Sequence, residues 1–439
     1  MRNFDHPRPH LGSFISSHME TLIKGVIIAD PQSPHHGAVR DVLIQDGMIA
    51  RIDAHIDPGS SIQVWDEPGS LLSVGWMDLQ ADFADPGQEQ KEGLESGAKA
   101  AQAGGFTHVV LNTGQEPSPD HKSEIAYLYA RAAVLETVLL PMGSLSQRHE
   151  GKQLAELFDL AEAGAVAFSD DGPVNRTELL RRALEYTEAL AQPIITCPLD
   201  LGLNARPQMH EGITSTLMGV VGTPHISETM RIKRDLDILR YTGGRLHFSC
   251  ISTAESVALV REAKKEGLRI TCATSAHHLF FIDEDLERFD GTLKVLPPFR
   301  LNSDREALCA GVLDGTIDAI ISDHRPEDLE HHDVEFALAP FGIAAIESVF
   351  PVAMSALGST GQDAIIRALT SGPRDALGME VPRIEEGQLA DLTWFHPTKP
   401  WHHQKSSKAA NHTTYGDRST SFSGAGTPLG VITPRLADH

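Results

Sequence analysis

The chain has 439 residues, of which 41% are hydrophobic and 22% charged, and a net charge of −23. This is ordinary globular composition, with length for one large core or two domains. The acidic balance, without any Lys/Arg run, excludes a general polyanion-binding surface, so no nucleic-acid partner is expected. No apolar run approaches the roughly 18–20 residues that a membrane span needs, so no membrane partner is expected. Cys197, Cys250, Cys272 and Cys309 are scattered with no CxxC pair, which reads as a set of reduced thiols in a cytoplasmic protein.

Residues 1–18 are polar, carry Pro7, Pro9 and Gly12, and lack the apolar core of a signal peptide. A second methionine, Met19, follows them, and they read as an extension outside the fold. Next come short strand patterns, Thr21–Ile28, Asp41–Ile44 and Ile49–Ile52, parted by turn residues such as Pro31, Pro34, Gly37 and Asp46-Gly47. From residue 71 the rhythm changes. Eight β-branched runs appear: Leu71–Met77, Thr107–Leu111, Thr137–Met142, Ala165–Ser169, Pro193–Cys197, Arg245–Cys250, Leu268–Thr274 and Ile317–Ser322.

Helical patterns lie between these runs, at Glu89–Ala103, His121–Glu136, Lys152–Ala163, Asn175–Ala189, Ser227–Tyr241, Thr253–Lys265 and Asp304–Leu313. Ser252 with Glu255, and Ser303 with Glu306, have capping-box spacing. Eight buried strands alternating with helices predict an α/β fold, a (β/α)8 TIM barrel over residues 71–383. A doubly wound sheet is the alternative. After two more helical patterns, Ile343–Ala356 and Asp363–Leu369, β character returns at Leu389–Phe395 and Gly430–Ile432, with a loop-like 402–425 between them. Residues 20–70 and 384–439 are therefore expected to form one small β-sandwich-like domain from both chain ends.

In such a barrel, chemistry sits at the C-terminal ends of the strands. The first run ends in Gln80 and Asp82, which at i and i+2 point to one face. A hydrolase would place a metal-binding histidine pair there. The other ends offer Asn112, Asp170-Asp171-Gly172, Thr196 and Cys197, Cys250, Ser275–His278 and Asp323-His324. Asp170-Asp171-Gly172 reads as either a turn or a source of a metal ligand. Asp323 ends a buried run, and a buried carboxylate needs a partner. His277-His278 are adjacent and cannot both face one metal from a regular strand, so packing or hydrogen bonding is their plainer role. His331-His332 and His402-His403 lie in polar stretches and read as solvated.

From about residue 20 to the end, these segments together resemble a dihydroorotase of the amidohydrolase superfamily, class I type. The resemblance is carried by Val74–Leu79, Ala103–Thr107, Ala167–Gly172, Met209–Gly212, Ile251–Thr253, His277–Leu279, Lys294–Arg300, Asp314–Asp318, Ser322–His324, Ala339–Gly342 and Ala390–Leu392. It implies interconversion of dihydroorotate and carbamoyl aspartate in pyrimidine biosynthesis. It also implies zinc that activates water, and a strand-eight carboxylate, Asp323, as general base. The implied ligands are two histidines after strand one, a carboxylate at strand four, a histidine each at strands five and six, and Asp323.

None of those four histidines is present. Gln80 and Asp82 stand at strand one, Thr196 (or Cys197 one residue on) at strand five, and Cys250 at strand six. An arginine implied for the substrate carboxylate is Ala84, an asparagine is Leu296, and a histidine is Glu327, whose charge would repel that carboxylate. Asn112 matches a substrate-facing asparagine. No metal or cofactor is expected. If a metal binds, Asp82, Asp170 and Asp323 are its oxygen ligands, or with Cys250 a mixed site.

The resemblance supports a dihydroorotase-like pseudoenzyme that acts as a structural or regulatory partner of aspartate transcarbamoylase, itself a homo-oligomer. The alternative is an active dihydroorotase or other cyclic amidohydrolase with altered metal binding, in which case zinc is its cofactor. A small-molecule sensor using the old pocket is a third reading.

Overall fold

A computed structural model describes residues 20–59, 62–203, 206–327, 329–332, 334–403 and 426–434. The extension read at 1–18, and nearly all of the loop read at 402–425, lie outside the described residues.

Both chain ends share one seven-stranded sheet. Its order is Thr427–Ile432, Leu392–His396, Leu71–Val74, Thr21–Ile28, Val39–Gln45 and Met48–Asp53, and Gln63–Asp66 adds to Thr21–Ile28 as a branch. The branch folds back so that Trp65 stacks on Trp394, with ring centroids 5.3 Å apart. Alternation drives the burial: Val42 and Ile44 point inward with Ile23, Ile28, Leu72 and Leu392.

The expected first barrel run, Leu71–Met77, is split at Gly75. Leu71–Val74 pairs antiparallel with Leu392–Phe395 and belongs to the end sheet; the barrel strand is Trp76–Ala81. The boundary read between residues 70 and 71 therefore moves to Gly75. A Cβ at Gly75 would overlap the Asp391 carboxylate and the Thr107 hydroxyl, so only glycine lets the chain cross here. The Gly75 carbonyl accepts from Arg374 Nη1 at 2.8 Å, and Arg374 Nη2 pairs with Asp391 Oδ2 at 2.6 Å. Arg374 and Asp391 are both buried.

The barrel strands that follow are Phe106–Leu111, Val138–Ser144 (broken at Met142), Phe168–Ser169, Ile194–Thr196, Leu246–Phe248, Ile270–Ser275 and Ala319–Ile321. Their inner face carries Met77, Leu79, Val110, Leu140, Met142, Ala167, Ile195, Cys250, Ala273, Ala319 and Ile321, a packed interior with no pore. The ring closes where the strand-one end meets the strand-eight end. Asp82 N donates to His324 O at 2.8 Å, and Ser322 donates to Asp78 through its N–H at 3.0 Å and through its hydroxyl.

The expected helices are present, several with trimmed ends, for example Leu94–Ala103, Thr177–Thr187 and Ala254–Lys265, while Ile226–Thr242 and Asn302–Asp314 run slightly longer than expected. The caps differ from expectation. Thr253, not Ser252, caps Ala254–Lys265, its hydroxyl accepting from Ser256 N at 3.2 Å, because Ser252 is spent on Glu228. Helix Asn302–Asp314 follows Leu301 with no side-chain cap, so Ser303 plays no capping part.

The buried pair at the domain junction gives a test. Arg374→Met leaves Asp391 charged, buried and unpaired, and is expected to cost about 3–5 kcal/mol in denaturant unfolding. Adding Asp391→Asn should recover most of that loss. Equal stability of the single variant and wild type would contradict the pairing.

Candidate active site

The strand ends converge as a (β/α)8 barrel requires, but on an arginine. Arg325 follows the strand-eight end by four residues. Its Nη1 and Nη2 meet Asp171 at 2.9 and 2.6 Å, a bidentate fork on the strand-four end. Its Nε donates to Asp323 Oδ1 at 3.1 Å. Gln80 Nε2 donates to that same oxygen at 2.7 Å. Burial alone would lower the Arg325 pKa, yet the carboxylates of Asp171, Asp323 and Asp82 hold it well above the usual value. Burial and the nearby Asp171 raise the Asp82 pKa, and Arg325 opposes both.

Three of the strand-end residues have left-handed backbones: Ala84 at φ 54°, Asp171 at φ 52° and Asp323 at φ 45°. Strain of this kind is held only where surrounding contacts over-determine it. For two of the three, the contact is the Arg325 fork.

The expected site residues separate into those brought together and those turned away. Asp323 and Asp82 face the cluster. Asp170 does not: its carboxylate accepts from Ser146 N at 2.7 Å and Ser146 Oγ at 2.6 Å. The next residue, Asp171, takes the site position. At strand five, Ile195 lies in the inner core, so alternation turns Thr196 away and brings Cys197 inward. The electrostatic neighbours of Cys197 agree, being Arg325, Asp323 and Asp171.

Burial pushes the Cys197 thiol up to about 12 and the Cys250 thiol well above its usual range. Both are protonated near neutrality and unprepared as metal ligands. Asn112 is buried, and its side-chain amide nitrogen has no partner among the described residues. Glu327 is not a free repelling charge: Lys91 Nζ pairs with it at 2.8 Å, tying the loops after strands one and eight together. His403, expected in solvent, lies against Trp401 and 3.3 Å from Glu347.

Zinc does not fit these donors. Among the described residues, no group of three or more His, Cys, Asp or Glu is arranged to hold a metal ion. Both Asp171 oxygens and Asp323 Oδ1 are taken by a guanidinium. Within the trio Asp82, Asp170 and Asp323, the Asp170 carboxylate is held by Ser146 and does not join the other two. Arg325 was missed in the sequence, although the signal was there. Several carboxylates ending buried strands demand a cation, and Arg325 stands two residues past Asp323.

The family-like segments serve as joints. Arg300 is buried and donates to Thr223 O at 2.8 Å, His210 Nδ1 at 3.1 Å and Ser252 Oγ at 3.0 Å. Glu228 beside it accepts from the N–H groups of Ser252 and Thr253 at 2.9 and 3.1 Å. Lys294 Nζ donates to the carbonyls of Phe336 and Ala339 at 2.8 and 2.7 Å. Burial lowers its pKa to about 8. His278 bridges Ser275 Oγ at 2.6 Å and Pro297 O at 2.9 Å.

A barrel beside a sheet made from both chain ends is an arrangement that solved structures share. "L-Hydantoinase (Dihydropyrimidinase) from Arthrobacter aurescens" superposes with a TM-score of 0.77 at 18% identity, over 96% of this chain and 97% of that one. "D-Hydantoinase (Dihydropyrimidinase) from Thermus sp." gives 0.76 at 20% identity, over 95% of each. At these identities the likeness concerns the fold alone.

Sequence relatives are narrower. Residues 69–256 match the family model described as "Dihydro-orotase-like". A protein of Pelotomaculum thermopropionicum named "Dihydroorotase" is 38% identical over 86% of this chain and 89% of its own length. One of Syntrophotalea carbinolica with the same name is 35% identical over 96% of this chain and 100% of its own. The chain belongs to the dihydroorotase-like family, an enzyme family of pyrimidine biosynthesis. No helix among the described residues is long and apolar enough to cross a membrane.

His278 yields a pH prediction. Burial lowers its pKa from 6.5 to about 4. Unfolded, it binds a proton near pH 6.5; folded, it resists until about pH 4. Its contribution is therefore complete above pH 6.5 and lost as pH falls from 6.5 towards 4, at about 1.4 kcal/mol per pH unit. Urea unfolding of His278→Asn should show a shallower loss across that window by about this slope. Parallel pH profiles for variant and wild type would count against the buried neutral imidazole.

Proposed function

We propose that this chain is a dihydroorotase-like protein of pyrimidine biosynthesis that no longer catalyses the reaction and acts as a structural or regulatory partner of aspartate transcarbamoylase. The observation that carries the reading is the Arg325 fork on Asp171 and Asp323. A cation already satisfies the carboxylates that metal chemistry would require, and the four expected histidines are Gln80, Asp82, Cys197 and Cys250. The substrate side agrees, since Ala84 and a Lys91-paired Glu327 offer no fork for a carboxylate. Meanwhile Arg300, Lys294 and Arg374 each hydrogen-bond segments distant in sequence, as a scaffold role demands. Asp323 then persists as a vestigial base, Asn112 as a remnant of the substrate face, and the chain self-associates within the assembly.

The names of its relatives favour a second reading, an active dihydroorotase or other cyclic amidohydrolase with altered metal binding. One set of measurements separates the two. Co-expression with the cognate transcarbamoylase should give a stable complex, and transcarbamoylase activity should fall when this chain is left out. Dihydroorotase assays in both directions, with zinc or manganese added, should show no turnover. Turnover abolished by Asp323→Ala would establish the active reading, and a fully active transcarbamoylase that never binds this chain would end the partner reading.

A further inference from the structure

We propose that Arg325 is the protein's built-in replacement for a metal ion: its guanidinium supplies the positive charge that lets the strand-end carboxylates coexist, and its fork locks strand four to strand eight.

The geometry matches what a bridging cation must do. Asp82, Asp171 and Asp323 come from strands one, four and eight of the ring, and like charges gathered at one barrel mouth repel unless a counter-charge sits among them. A guanidinium has five donors in one plane and no acceptor. Three of the Arg325 nitrogens are used here, two on Asp171 and one on Asp323, so one side chain spans the mouth. A lysine, a single point charge, could not hold both carboxylates in this way.

Two further features fit an organic cation better than an ion. Gln80 donates an N–H to the Asp323 oxygen that Arg325 also contacts; hydrogen-bond donors can share that oxygen, whereas a metal ion would face a donor's positive end. The inward thiols of Cys197 and Cys250 are neutral by burial and compete for neither role. Finally, the fork holds the two carboxylates whose backbones sit at φ 52° and 45°. Removing it releases strained residues as well as unpaired charge.

The site without Arg325 is thus a vacancy for a planar cation. This inference rests on the reading that these strand ends are not a metal site. Metal uptake at the strand ends would overturn both, whereas an Arg325→Ala variant that melts with wild type would overturn the clamp alone.

The test has two arms. Wild-type protein is dialysed against zinc or manganese chloride and its metal content measured. No stoichiometric uptake is expected, and one equivalent bound at the strand ends would overturn the proposal. In the second arm, Arg325→Ala is expected to melt about 5 °C or more below wild type. Millimolar guanidinium chloride, far below denaturing concentration, should restore several degrees to the variant and leave wild type unmoved. Arg325→Lys should fall between the two. If Arg325→Ala melts with wild type and guanidinium has no effect, the clamp is not needed and the proposal fails. Should Arg325→Ala not fold, Arg325→Met with Asp171→Asn and Asp323→Asn decides: it removes the cation together with both acids it contacts, should fold and melt within a few degrees of wild type, and its failure to fold overturns the inference.

Discussion

The seam between the first and eighth barrel strands is the contact on which the rest depends. A parallel barrel has no free edge only if its last strand finds its first. Here the seam is built from segments far apart in sequence, residues 78–92 and 322–327. Asp78 accepts from Ser322, and Asp82 donates its N–H to the His324 carbonyl. Gln80 reaches Asp323, and Lys91 reaches Glu327. Burial pushes the Asp78 carboxyl up to about 6, while the Ser322 and Gln80 donors pull the other way. The same few residues therefore close the barrel and shape its mouth.

That double duty ties the stability of the ring to the hydrogen bonds and ion pairs at its mouth. Within Lys294–Arg300, Lys294 and Arg300 satisfy buried backbone carbonyls, and Arg300 also donates to His210. An unsatisfied buried group costs about 1–3 kcal/mol, and more when charged. A buried thiol such as that of Cys250 carries little such obligation. The acids do carry one. Asp171 and Asp323 sit at strand ends on strained backbones, and Arg325 meets that demand from two residues past Asp323.

Much of the fold was legible because its signals are local. Eight apolar runs alternating with helical periodicity specify a barrel, and Ile320-Ile321 leading into Ser322-Asp323 marks a buried strand with a carboxylate at its end. The domain boundary was less legible. Leu71–Met77 reads as one apolar run, and only the pairing of Leu72 with Trp394 shows that its first half belongs to another sheet. Capping was misread for a similar reason: Ser252 has the right spacing to Glu255, yet a buried Glu228, 24 residues earlier, claims it.

The sequence by itself determined the family and the barrel, since residue identity and short-range pattern suffice for each. The tertiary structure decided which of two neighbours faces the mouth: Asp171 over Asp170, and Cys197 over Thr196. One residue of register turns a strand-end side chain from one face to the other, and no composition or spacing records that rotation. It also decided that Glu327 is neutralised by Lys91 and that Arg325, beside Asp323, reaches Asp171 across 154 residues of chain. Charge pairing depends on distance in space, and only the closed ring sets those distances.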